Sequence, residues 1–88
     1  MKEYRLYFSD NAVAVDDVID IVNAALDCFT HFECEGFWNG DREKATVIEV
    51  IGDDHTALIM RVLAEKLKAE FSQECVLLTA KNIDVEFI

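Results

Sequence analysis

Cys28, His31 and Cys34 are spaced three residues apart, and thiolate and imidazole are ligand types that hold zinc, with Cys75 or His55 as a distant fourth ligand. Their expected directions do not converge. Cys28 ends a helix, Cys34 points toward the core, and His31 sits in a turn or on the outer face of a strand. Packed thiols and a surface imidazole are the plainer reading, so neither a metal nor a cofactor is expected. As a nucleophile and base the same residues lack a third group to orient the imidazole and a glycine-rich oxyanion site. Asp53-Asp54-His55 is triad-like in composition alone, because helix capping accounts for the acids. Gly36 and Gly40 do not form a phosphate loop, since no Lys-Ser/Thr follows and no helix opens there. The expectation is a protein that is not an enzyme.

Binding is better signposted. The 88 residues carry a net charge of −10, and from Leu6 to Asp41 there is no lysine or arginine. That stretch holds Asp10, Asp16, Asp17, Asp20, Asp27, Glu33, Glu35 and Asp41. Residues 42–88 are more evenly mixed, with nine acids and six bases. No basic stripe exists to displace counterions, so direct nucleic-acid binding is not expected. A basic protein surface is the natural complement, and ordinary solubility is the bland alternative.

The elements that must position these acids follow from periodicity. Tyr4, Leu6 and Phe8 alternate with polar neighbours as a strand, stopped at Asp10-Asn11. Val15, Val18, Ile19, Val22, Leu26 and Phe29 give an amphipathic helix over about 15–29, with Asp16, Asp20, Asn23 and Asp27 on its outer face. A hairpin turning near Asn39-Gly40 follows. A two-residue loop would set Glu33 beside Thr46, Ile48 and Val50. A three-residue loop, Asn39-Gly40-Asp41, turns Glu33 and Glu35 outward and is preferred. It puts Trp38 opposite Arg42 on the helix side of the sheet, as a lid closing one end of the core or an anchor for a partner, the lid being preferred.

Asp53 and Asp54 open a second helix whose stripe is Met60, Leu63, Ala64, Leu67 and Phe71, widened by Ile59 and Val62. Arg61–Glu65 and Lys66–Glu70 read as i,i+4 pairs. Val76, Leu78 and Ala80 mark a fourth strand, and Ile83, Val85 and Phe87 either prolong it or form an extra edge strand. The order β-α-β-β-α-β predicts one α+β domain over 1–88. It is of ferredoxin-like type, with two helices on one face of an antiparallel sheet. The uncovered face would present Arg5, Tyr7, Ala45, Val47, Glu49, Ile51 and Leu77, so Tyr7, Val47, Ile51 and Leu77 are candidates for a homodimer face. On that reading Val47→Glu would split the dimer.

No stretch approaches the roughly 20 apolar residues that span a bilayer, and no basic segment with an apolar run behind it marks a signal peptide. An odd set of three cysteines reads as free thiols, two of them buried, in a reducing cytoplasm. The alternation after Gly36, Trp38, Gly40 and Glu43 resembles small proteins of phages and mobile elements. As a class such acidic proteins are similar to inhibitors of host defence, the anti-CRISPR and anti-restriction proteins, some of which mimic DNA. The base-free run makes Asp16, Asp20, Asp27, Glu33 and Glu35, with Trp38 as an anchor, the candidates for docking on a basic surface of the kind that holds nucleic acid. A homodimer using its open sheet face, for assembly or for a small ligand, is the alternative function.

Overall fold

A computed structural model describes residues 1–9 and 15–88. The order is β1 (Lys2–Ser9), α1 (Val15–Ala25), β2 (Thr30–Trp38), β3 (Asp41–Gly52), α2 (Asp54–Glu70) and β4 (Leu77–Asn82). The strands form one antiparallel sheet in the order β2-β3-β1-β4, so β2 and β4 are its edges. The chain is thus α+β, with four antiparallel strands and two helices. The strand stop expected at Asp10-Asn11 lies outside the described residues.

Alternation along β1 buries Tyr4, Leu6 and Phe8 against the helices. Ile48 and Val50 of β3 join them, with Val18 and Val22 of α1 and Met60, Leu63 and Leu67 of α2. Every one of these lies at the spacing its element requires, 2 along strands and 3 to 4 along helices. The first helix stops at Ala25, short of the expected 29. Leu26 and Phe29 still reach the core, so the apolar spacing continues after the helix has ended. The second helix starts as expected: Asp53 Oδ1 accepts the N–H of His55 at 3.0 Å and of Thr56 at 3.3 Å. Tyr4 ties this cap to the sheet, its buried hydroxyl donating to the Asp53 carbonyl at 2.7 Å.

Two expectations for α2 fail. Val62 is exposed and does not widen the buried stripe. Arg61–Glu65 and Lys66–Glu70 are absent from the ion pairs among the described residues, as is common where solvent screens both partners. Residues 83–88 add no strand. The Ile83 N–H donates to the Met1 carbonyl and pairing ends there, with Phe87 and Ile88 in solvent.

Thr46, fully buried on the helix side of β3, has no hydrogen-bond partner for Oγ1 among the described residues. An unmet buried hydroxyl costs about 1–3 kcal/mol. Thr46→Val removes it at nearly constant shape. Stability is expected to rise by about 1 kcal/mol, read by calorimetry as a Tm about 4–8 °C higher.

Candidate functional site

The hairpin decides what each face displays. Trp38 pairs with Asp41, Phe32 with Val47 and Glu33 with Thr46, so the loop is the two residues Asn39-Gly40 and not the expected three. Both loop residues have positive φ, 51° and 86°, the type I′ geometry whose twist matches the flanking strands. The preference for an odd loop rested on keeping Glu33 and Glu35 away from Ile48 and Val50. That conflict does not arise, because β2 is an edge strand: its residues from Thr30 to Glu33 are all exposed, and the helix-side carboxylate of Glu33 reaches water past the helices.

Glu33, Glu35 and Phe37 therefore stand on the helix side of the sheet. Phe32, Cys34, Gly36 and Trp38 stand on the open side. Trp38 neither caps the core nor meets Arg42. Its indole lies back over Gly36, where a Cβ would fall 2.8 Å from Nε1, so only glycine leaves room. Arg42 instead sits 5.5 Å from the Phe37 ring and 3.8 Å from Glu35.

α2 lies against β1 and β4, and α1 lies beside α2. Asp16, Asp17, Asp20 and Asp27 are all exposed, and the register puts the exposed Glu33 on the helix side of β2. None of these five forms an ion pair among the described residues. Glu35 differs, facing Lys44 across the strands and paired with Arg42, so the hairpin end is locally compensated. Of the six residues expected to face a partner, Asp16, Asp20, Asp27 and Glu33 are exposed and without an ion pair among the described residues. Glu35 contacts Arg42, and Trp38 is on the opposite face of the sheet.

The open face is organised by one row, Phe32–Val47–Tyr7–Leu77. Val47 is fully buried although no helix covers it, because Phe32 and Tyr7 flank it on both sides. Arg5 Nη2 contacts Glu49 at 2.8 Å, its Nε contacts Glu3 at 3.1 Å, and its guanidinium carbon lies 5.6 Å from the Phe32 ring. Lys81 adds a contact to Glu3 at 3.4 Å. Hydrogen bonding to Tyr7 foremost, then to Glu49, raises the Arg5 pKa further above its ordinary value. Phe32 was missed from sequence, although the Asn-Gly dipeptide at the loop was the signal for it.

The cysteine–histidine reading dissolves in this geometry. His31 and Cys34 project from opposite faces of β2, since three residues along a strand reverse direction. Cys34 points away from the core, and Cys28 and Cys75 are exposed, not buried as expected. Among the described residues no group of three His, Cys, Asp or Glu side chains is arranged to hold a metal ion. Between the helices lies an apolar groove of about 400 Å³, lined by Ile21, Ala24, Leu58 and Val62 with Lys66. Among the described residues no helix is long and apolar enough to cross a membrane.

No protein-family model matches the chain, and no curated protein matches it by sequence. Solved structures do match its fold. A phage SAM lyase in its apo state is similar over 91% of this chain and 78% of its own, at TM-score 0.73 and 16% identity. A DUF3240 protein from Shewanella baltica is similar over 99% of this chain and 94% of its own, at TM-score 0.70 and 16% identity. CPII from Thiomonas intermedia, bound to ADP, AMP and acetate, is similar over 98% and 88%, at TM-score 0.60 and 14% identity. The resemblance to small phage proteins thus has a counterpart in fold, and identities this low carry the fold alone: α+β, an antiparallel sheet with two helices.

Proposed function

We propose that this protein is a non-enzymatic interaction module whose α1 surface docks on a basic protein surface of the kind that otherwise binds nucleic acid. The observation that supports the reading is that Asp16, Asp20, Asp27 and Glu33 are all exposed and without cationic partners among the described residues. Carboxylates left unpaired at a surface make the local potential more negative and speed encounter with a cationic patch. Glu35 contributes little, because Arg42 and Lys44 offset it. A ferredoxin-like scaffold suits the role, since a rigid sheet holds the helix in place. An inhibitor of the phage type is the functional class this chemistry fits.

The test is association with purified basic nucleic-acid-binding domains from the native host, followed by surface resonance with and without competing duplex DNA. A binder is expected that DNA displaces and whose association rate falls at least about tenfold from 50 to 300 mM salt. Asp16→Lys, Asp20→Lys and Asp27→Lys combined are expected to slow association by a further factor of about 10 to 100 at low salt, whereas Glu35→Lys changes it by less than about threefold. Binding that ignores both salt and the triple reversal refutes the reading.

A further inference from the structure

We infer that the open sheet face is where a second copy of this chain docks, leaving the acidic α1 surfaces outward. The face is apolar in a way the monomer does not use. Trp38 is 47% exposed, Leu77 46%, Ile51 44% and Phe32 37%, and all four project from the side of the sheet that no helix covers. Trp38 is also pre-positioned, its indole seated over Gly36, so little freedom is lost when it is covered. Large aromatics held in this way are the usual anchors of an interface.

Charge selects the occupant. The chain carries −10, so two copies repel wherever acids lead the approach. Over the centre of the open face the charges cancel: Arg5 engages Glu49 and Glu3, and Lys81 engages Glu3. Over this centre one copy can meet another with its carboxylates already paired. Asp41 and Glu43 of the same face, without an ion pair among the described residues, lie toward its hairpin end beside Trp38. A two-fold contact there is self-complementary by construction, each Phe32–Val47–Tyr7–Leu77 row meeting its equivalent. A basic partner, by contrast, gains little from that centre, where Glu3 and Glu49 are already paired.

Area permits it. Four strands about 4.8 Å apart and eight residues at about 3.4 Å span roughly 19 by 27 Å, or about 500 Å² per copy. Two copies bury about 1,000 Å², the lower limit for a specific interface. The assembly is therefore expected to be concentration-dependent and exchanging.

Sedimentation equilibrium of the full chain from 10 to 500 μM at 150 mM salt tests this. The expected mass rises from 10.0 kDa toward twice that value. Leu77→Glu and Ile51→Glu, each at a position exposed in the monomer, are expected to hold the mass at 10.0 kDa at every concentration with an unchanged thermal transition. Asp20→Lys, on the opposite layer, is expected to leave self-association intact. Raising salt is expected to strengthen self-association, the reverse of its effect on a basic partner, so the two readings fail separately. A wild-type monomer at 500 μM, or an assembly that survives both glutamate substitutions, overturns the inference.

Discussion

Val47→Glu is expected to abolish cooperative folding, not to release a folded monomer. The side chain is fully buried between Phe32 and Tyr7 in the isolated chain, so the substitution places a carboxylate where no water reaches it. An unpaired buried charge costs several kcal/mol even after relaxation. The whole stability of 88 residues is about 4–13 kcal/mol at roughly 0.05–0.15 per residue. Arg5 cannot rescue the new acid, because its guanidinium already serves Glu49 and Glu3. Far-ultraviolet circular dichroism under heating should show no sharp transition at 25 °C or above. Val47→Ala serves as the graded control, expected to lose about 2 kcal/mol for the methyl groups removed and the space left. A Val47→Glu chain that melts cooperatively near the wild-type temperature would mean that this position is open in solution. The earlier expectation that Val47→Glu reports on a dimer is corrected by the same burial: a folding defect would mimic dissociation.

The second large effect concerns Tyr4, which joins the middle of the sheet to the start of α2. Its ring is nearly inaccessible and its hydroxyl donates to the Asp53 carbonyl, the residue that caps the helix. Tyr4→Ala should cost about 3–5 kcal/mol, lowering Tm by about 12–40 °C. Tyr4→Phe keeps the ring and loses only the hydrogen bond, leaving one buried acceptor unmet, for about 1–1.5 kcal/mol. Chemical denaturation of both variants separates packing from hydrogen bonding, and equal losses would show that the hydroxyl, not the ring, holds the cap.

These predictions follow from features whose visibility in the sequence differed for physical reasons. The alternation of Tyr4, Leu6 and Phe8 and the helical spacing of Met60, Leu63 and Leu67 are local, and the elements appear where their periods place them. The N-cap at Asp53 was equally local, one side chain reaching back to two amides of its own turn. The hairpin was not. Choosing between even and odd loops by the faces of β3 assumed that both faces of β2 carry the same burial demands as a central strand. Edge position removes those demands, so the turn's own chemistry, Asn39 and Gly40 at positive φ, sets the register.

From that single step come the placements no local pattern contained. Trp38 and Phe32 move to the open face, Glu33 turns to the helix side, and His31 separates from Cys34. Composition and charge order along the chain already determined an acidic α+β domain without a base from Leu6 to Asp41. Only the tertiary structure decided which carboxylates remain uncompensated and which apolar side chains lack cover. Net charge is a sum over residues, whereas compensation depends on which strands lie side by side, and a one-residue shift of register reverses every side chain on a strand.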